Sequence, residues 1–512
     1  MQKYNLNMFL FFCLEQKIFV SSIFVSKVLS LFKVKYSIIM EVIMENFINR
    51  FKVEEQLDVE ELNVFDPLVS LNNEVLERIF SYLGGKDLMA ASEVSHPWYD
   101  FIADSKYCMN NISMAIKNGF NSEIKDLLIS SKRKYSKINI NYSYIESILN
   151  NIVEILCVRR FNFKVVTFNS IIFPDISLYN YFMFLIEKNV EELHLNFFCI
   201  TEEDEPIQPF DFIKLKYLNI IPQNYRSQMA HIDGSFVDCN KLTYFGTMQL
   251  FDSKVVYDLM KNNKHLESLV VRSENVIDIF KHDVAHQFTF ELKEFRVLQF
   301  DYSNEEVNTN LNKFLHSQSR ELEVLQLGSF FGFQIIATVI NHMKKLRTVD
   351  LVTDFETYTL PEWMLLEPFE PNPSIIQVSF QNKWKHFDIT KAFLDGTSNL
   401  ISLNLGTMDQ RTMEYVNARF GKTLQELKIG QFGALNFNDR SLFKNLKNVK
   451  IITPIIDEIK LILSIARDRS HFEILLMEAL SITVGDEKFI QSLINSILVK
   501  SIMRCGHRCL CY

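Results

Sequence analysis

One short apolar pattern, Leu-x-x-Leu-x-Leu with conservative swaps, recurs fourteen times between Tyr135 and Met477. The copies begin at Tyr135, Phe163, Val190, Leu215, Leu242, Leu266, Phe295, Leu322, Leu346, Ile375, Leu400, Leu424, Leu446 and Phe472. Clear examples are Leu215-Lys-Tyr-Leu218-Asn-Ile220 and Leu322-Glu-Val-Leu325-Gln-Leu327. A single match carries little weight, because 48% of the chain is hydrophobic. A near-regular series constrains the fold much more.

Residues four and six of each copy alternate as in a short strand and send both side chains to one side. Between copies, segments such as Val255–Lys261, Asn310–His316 and Thr412–Phe420 place apolar residues three or four apart, as an amphipathic helix requires. A strand plus a helix in 20–29 residues is the leucine-rich repeat. One unit cannot bury its own apolar face, whereas stacked units share a continuous core. The expected fold is therefore α/β: a leucine-rich-repeat solenoid with a curved parallel sheet and outer helices, over residues 135–480. The strand positions between the inward residues would face a target. They include His194, Tyr217, Tyr244, Arg272, Gln299, Asp301, Gln326, Asp350, Gln377 and Asn404.

Ahead of the repeats, at 64–110, lies a segment with the spacing of three small helices. Val75, Leu76, Ile79, Phe80 and Leu83 share one helical face, which Asn72 or Asn73 can cap. Gly84-Gly85 is expected to end that helix in a left-handed turn, and Asp87 to cap a second helix carrying Leu88, Ala91 and Val94. Ser95 is placed to cap a third, with Pro97 in its first turn and Trp98, Phe101 and Ile102 on its apolar side. So few residues make a core too small to stand well alone.

These residues resemble an F-box. The likeness runs through Leu71-Asn-Asn-Glu74-Val-Leu-Glu-Arg-Ile79-Phe80-Ser-Tyr-Leu83, then Lys86-Asp87-Leu88, then Ala91-Ser-Glu-Val94-Ser-His-Pro-Trp98. It departs at Asn72, where the family usually has Pro, and at Ser95, where it often has Cys. With the repeats behind it, the chain is similar to the F-box/leucine-rich-repeat family. That resemblance implies a Skp-type adaptor bound through Leu71, Val75, Leu76, Ile79, Phe80, Leu83, Leu88, Val94 and Trp98, and through it a cullin. It also implies a protein substrate held by the repeats for ubiquitination, with catalysis in other subunits. A leucine-rich scaffold or binding protein without a degradative role, or a secreted one, is the alternative expectation.

The remaining features bound the function. No Walker loop, Gly-x-Gly-x-x-Gly, Gly-x-Ser-x-Gly or His-Glu-x-x-His occurs, so no catalytic residue and no cofactor are expected. Lys and Arg number 54 against 62 Asp and Glu, and the face residues form no basic stripe, which argues against nucleic acid. Eight scattered Cys fit a reducing cytoplasmic or nuclear setting. The terminal Cys505-Gly-His507-Arg-Cys509-Leu-Cys511 lacks a second spaced pair, and no metal site is expected. Loops are expected at Thr201–Pro209 and Asp354–Pro373, from their prolines and charges. Residues 1–63 form an N-terminal extension, 111–134 a helical linker and 481–512 a terminal helix and tail. Ile18–Phe32 is too short an apolar run to span a bilayer, and no membrane association is expected.

Overall fold

A computed structural model describes residues 72–141, 148–158, 161–202, 207–222, 232–248, 251–298, 305–328, 333–352, 369–381, 387–432, 445–451, 473–476 and 501–502. Two compact units divide the chain: residues 1–192 with 198–201, and residues 193–197 with 202–512.

The first unit opens with four short helices, α1 Asn73–Phe80, α2 Gly85–Ala91, α3 His96–Asp104 and α4 Lys106–Asn111. Strand and helix then alternate: β1 Met114–Ile116, α5 Ser122–Ser130, β2 Lys137–Asn141, α6 Leu149–Cys157, β3 Val165–Asn169, β4 Ile172–Asp175 and α7 Ile176–Ile186. β1, β2 and β3 pair in parallel, with Met114 opposite Ile138 and Ile138 opposite Val166. Segment 111–134, expected to be a helical linker, holds strand β1 ahead of helix α5. Met114 and Ile116 are buried either side of exposed Ala115, and that alternation suits a sheet edge rather than a helix. β5 Glu192–Glu202 follows.

The second unit continues with β6 Tyr217–Pro222, β7 Tyr244–Thr247, α8 Ser253–Asn262, β8 Ser268–Arg272, α9 Ser273–Phe280, β9 Glu294–Leu298, α10 Glu305–Ser317, β10 Val324–Leu327, α11 Phe333–His342 and β11 Thr348–Val352. It runs on through β12 Gln377–Gln381, α12 Phe387–Asp395, β13 Ser402–Met408, α13 Gln410–Phe420, β14 Glu426–Phe432, β15 Asn448–Ile451, β16 Glu473–Leu476 and β17 Ser501–Ile502. Each strand from β6 onward pairs in parallel with the next. Consecutive helices pack side by side, and α9 rests on β8 and β9. The unit is α/β, with a long parallel sheet and a layer of helices.

The register shows what holds the sheet. Leu218, Phe245, Leu269, Phe295, Leu325, Val349, Val378, Leu403 and Leu427 form one row across it. All nine are at most 4% exposed. Two positions on, Ile220, Val271, Val297, Leu327, Leu351, Phe380, Leu405 and Ile429 are equally buried. Thr247 breaks this second row with a hydroxyl, yet it is only 1% exposed. In each expected copy except two, the first apolar residue is buried two places before a strand.

Those two copies are corrected by the pairing. Phe295 is not a first residue. It lies opposite Leu269 and Leu325, so its unit begins at Leu292, three places earlier. Both registers satisfy the pattern, but Leu292 is fully buried and its N–H donates to Gln318 Oε1 at 2.9 Å. The copy placed at Phe472 slips by one: Ile474 and Leu476 face Val449 and Ile451. A one-residue slip moves every side chain to the other face.

Buried amides tie one unit to the next. Asn263 Nδ2 donates to the Cys239 carbonyl at 2.9 Å and the Leu259 carbonyl at 2.7 Å, while its Oδ1 accepts from Leu242 N–H at 2.6 Å. Asn372 Nδ2 reaches the Ile340 and Met343 carbonyls at 3.1 and 3.0 Å. Asn310 Nδ2 donates to the Phe280 carbonyl at 3.1 Å. These turn-and-helix backbone groups have no strand neighbour, and a carboxamide satisfies donor and acceptor together.

Among the described residues no helix is long and apolar enough to cross a membrane. The expected extension 1–63, most of the loop Asp354–Pro373 and nearly all of 481–512 lie outside the described residues.

Two substitutions test the core. Leu325→Ala is expected to cost about 2–5 kcal/mol, since it deletes three buried carbons and leaves a cavity. Asn263→Ala is expected to cost about 2–4 kcal/mol, because it strands the buried Leu242 N–H and Cys239 carbonyl. Urea unfolding followed by circular dichroism measures both.

Candidate functional site

Three of the four helices at the front start on a side-chain cap. Asn72 Oδ1 accepts from Val75 N–H at 2.9 Å, Ser95 Oγ from Trp98 N–H at 3.5 Å and Ser105 Oγ from Cys108 N–H at 3.3 Å. Two expectations fail here. The glycine pair does not close α1 through a left-handed residue: α1 ends at Ser81, and Gly84 is the N-cap of α2 with φ −72°. Asp87 therefore lies in the first turn of α2 instead of capping it, where its charge still favours the helix N-terminus. Gly85 has a packing reason. A Cβ there would stand 2.3 Å from the Asn111 carbonyl oxygen at the end of α4.

The apolar residues divide into two stripes. Leu76, Phe80, Leu88 and Trp98 are buried inside the unit, with Ala91, Ile102, Cys108 and Met109. Phe80 packs its ring edge-on to Trp98 at 5.3 Å and against Phe101 at 5.4 Å. Burial within the chain pushes the Cys108 thiol pKa upward, and the thiol serves as a small apolar group. Val75, Ile79, Leu83 and Val94 are only half-buried, and Tyr82 and Tyr107 are 49% and 44% exposed. On α1 the second stripe, Val75 and Ile79 continuing to Tyr82 and Leu83, runs beside the buried stripe Leu76 and Phe80. Of the residues expected to meet a partner, then, Leu76, Phe80, Leu88 and Trp98 hold the shape, and Val75, Ile79, Leu83 and Val94 reach the surface. Leu71 lies outside the described residues. Tyr82 was missed, although its place on the α1 stripe was readable from the spacing.

Polar contacts brace this front. Ser105 Oγ donates to Glu77 Oε1 at 2.8 Å, tying α4 to α1. Arg133 donates to Ser92 Oγ at 2.7 Å and lies over the Tyr99 ring at 4.9 Å. Lys132 pairs with Asp100 at 2.9 Å in the open, where such a bridge contributes little.

The outward face of the second unit's sheet is the other candidate surface. One row runs Tyr217, Tyr244, Ser268, Glu294, Val324, Thr348, Gln377, Ser402, Glu426 and Asn448. The next runs Asn219, Gly246, Val270, Arg296, Gln326, Asp350, Ser379, Asn404 and Lys428. The Tyr217 and Tyr244 rings stack at 4.0 Å and 8°, and His194 lies against Tyr217 at 4.8 Å. Gly246 makes room for this stack, because a Cβ there would lie 2.7 Å from Tyr244 Oη. Burial, then the neighbouring Tyr217, raises the Tyr244 phenol pKa, so the ring stays neutral.

Two arginines on this face pair with neighbouring glutamates. Arg272 forms an ion pair with Glu274. Burial works against the Glu274 carboxylate, yet the Arg272 hydrogen bond and charge, with backbone and Ser273 hydrogen bonds, together outweigh it and lower the pKa. Arg296 pairs with Glu294, which also accepts from Ser268 Oγ at 2.6 Å. Asn404 Nδ2 donates to Ser379 Oγ at 2.8 Å. His194, Tyr217, Tyr244, Arg272, Gln326 and Asp350 are half-buried or exposed on the strands, as expected, and Gln377 is exposed. Gln299 and Asp301 lie outside the described residues, and the corrected register gives their places to Arg296 and Leu298. Cys505, His507, Cys509 and Cys511 are outside as well.

Gly246→Ala is expected to push Tyr244 off its stack. The measurable result is a changed near-ultraviolet circular dichroism signal with unchanged far-ultraviolet content. Trp98→Ala is expected to cost about 3–5 kcal/mol, while Tyr82→Ala changes stability by under about 0.5 kcal/mol. Urea midpoints separate the two.

Compared with known families, residues 70–113 match a family model described as F-box-like. That span takes in α1 to α4, so the chain carries an F-box-like domain ahead of a long parallel sheet. In a comparison with curated proteins, nothing matches.

Proposed function

We propose that this chain is the substrate receptor of a Skp–cullin–F-box ubiquitin ligase. In this reading α1 to α4 dock a Skp-type adaptor, which links the chain to a cullin. The sheet and its helices form a leucine-rich-repeat solenoid that holds a protein target. The chain itself performs no bond-making step, and it works in the cytoplasm or nucleus.

The observation that carries this reading is the F-box-like match at residues 70–113, seated on a unit whose second apolar stripe faces outward. F-box-like domains generally bind Skp-type adaptors. The stripe suits that task physically. Val75, Ile79 and Leu83 lie half-covered in the chain alone, and burying the rest against a partner is worth roughly 25 cal/mol per Å² of apolar area. Leu76 and Phe80 are already used inside the unit. The sheet offers a matching second surface: fixed strands, an aromatic stack, and two arginines already paired with glutamates. A surface that pays little to stay ordered loses little freedom on binding.

Affinity purification of the full chain from cells tests the reading. Adaptor and cullin are expected in the eluate. The double change Ile79→Ala with Tyr82→Ala is expected to reduce adaptor capture at least about tenfold while the circular dichroism spectrum is retained. Adaptor capture at wild-type level by that variant overturns the assigned docking stripe. Absence of adaptor and cullin from the wild-type eluate overturns the receptor reading.

A further inference from the structure

The strand-entry edge of the sheet carries a row of charges that neutralise one another across neighbouring units. Lys293 pairs with Glu267 at 2.9 Å, and Lys345 with Glu321 at 2.6 Å. In the first unit Lys164 and Glu191 pair at the same place in their repeats. The row changes character at its far end. Lys447 stands where Lys293 stands in its own unit, one place before its strand, but the neighbouring strand offers Gln425 where the earlier one offers Glu267. Lys447 Nζ therefore donates to a neutral amide oxygen, Gln425 Oε1, at 2.9 Å. Lys422 has no carboxylate partner among the described residues.

These lysines line an open groove of about 480 Å³ that crosses three units. Asn399, Thr423 and Asn445 add hydrogen-bonding groups, and Ile401, 37% exposed, gives it one apolar wall. Among the described residues no carboxylate lines it. Glu426 is adjacent in sequence, but it belongs to the sheet face and accepts from Asn448 Nδ2 at 3.2 Å. Two uncompensated cations thus sit together in a chain whose net charge is −8.

We infer that this groove binds an acidic peptide segment, whose carboxylates supply in trans the partner that Gln425 withholds. Three units at about 4.8 Å spacing give a length near 10 Å, which about three extended residues fill. Lysine acts as a point charge with rotatable donors, so it accepts Asp or Glu side chains without demanding one fixed geometry. A nucleic acid fits less well, because no aromatic side chain among the described residues lines the groove to stack a base. The assignment of this segment to a degradation target rests on the proposed receptor function. The binding itself does not.

Fluorescence anisotropy on the full chain tests it, with a labelled peptide holding a Glu-Asp-Glu-Glu core in Gly and Ser, and a second peptide with Gln-Asn-Gln-Gln in its place. The acidic peptide is expected to bind, and to weaken as salt is raised through the range where the screening length falls below about 8 Å. The neutral peptide is expected to bind at least about tenfold more weakly. Gln425→Glu rebuilds the ion pair in cis and is expected to weaken the acidic peptide about tenfold with the fold intact. Lys422→Gln with Lys447→Gln is expected to do the same, and Lys254→Gln, on an outer helix, to do nothing. Equal binding of both peptides overturns the inference, as does wild-type affinity in Gln425→Glu. Lysine-dependent binding of polyuridylate without binding of the acidic peptide also overturns it, in favour of RNA. Adaptor capture by Gln425→Glu is expected to match wild type, so failure here is separable from failure of the receptor reading.

Discussion

Parallel strand register is the constraint on which the second unit depends. Adjacent strands are aligned so that Leu269, Phe295, Leu325 and Val349 meet as neighbours in one buried row. The row two places on repeats this with Val271, Val297, Leu327 and Leu351. Each unit buries its strand only because the next unit continues the row, which makes the stability nearest-neighbour in character. The same alignment determines the opposite face. Once the fourth and sixth residues point inward, the third and fifth are committed outward, whatever their chemistry. The Tyr217–Tyr244 stack and the Arg296–Glu294 pair both follow from that commitment.

The buried amides answer a different problem. Between a helix and the following strand the backbone turns, and its carbonyls have no ladder to join. Asn263, Asn310 and Asn372 reach across one unit to the turn or helix end of the one before. A Leu in those places would preserve the apolar volume but leave the carbonyls dry and unpaired. Gln318 does the same service for Leu292 with a longer arm.

Much of this was legible in the sequence. Leu215, Leu266, Leu322, Leu400 and Leu424 all stand where the pattern put them, because spacing near 26 residues and two inward positions leave few alternative registers. Legibility failed where apolar residues were too dense. Leu292-Lys-Glu-Phe295-Arg-Val297 and Phe295-Arg-Val-Leu298-Gln-Phe300 fit the pattern equally, and only the Gln318 hydrogen bond and the neighbouring strands choose between them. The strand Met114–Ile116 is three residues long, too short for periodicity to distinguish it from a helix. At the front, the spacing identified the apolar residues of α1 but could not divide them into inward and outward stripes. That division depends on where Trp98 and Phe101 come to rest against Phe80.

Two surfaces of different chemistry emerge from these rules. The outward stripe of α1 is apolar, so its association would be driven by area and tolerate many small changes in a partner's side chains. Parts of the sheet and its entry edge are neutralised in advance, as at Arg296–Glu294 and Lys293–Glu267. Each Lys–Glu pair along that edge removes one reason for a charged partner to stop there, and the exposed pairs themselves add little to stability. Their effect is better understood as selection: the lysines and glutamates paired along the edge are claimed before a partner arrives. Where Gln425 stands in place of the carboxylate that Glu267 supplies, Lys447 donates to a neutral amide and lies beside Lys422 in the groove. Specificity is a difference between affinities, and it grows as much from silencing the other sites as from strengthening one.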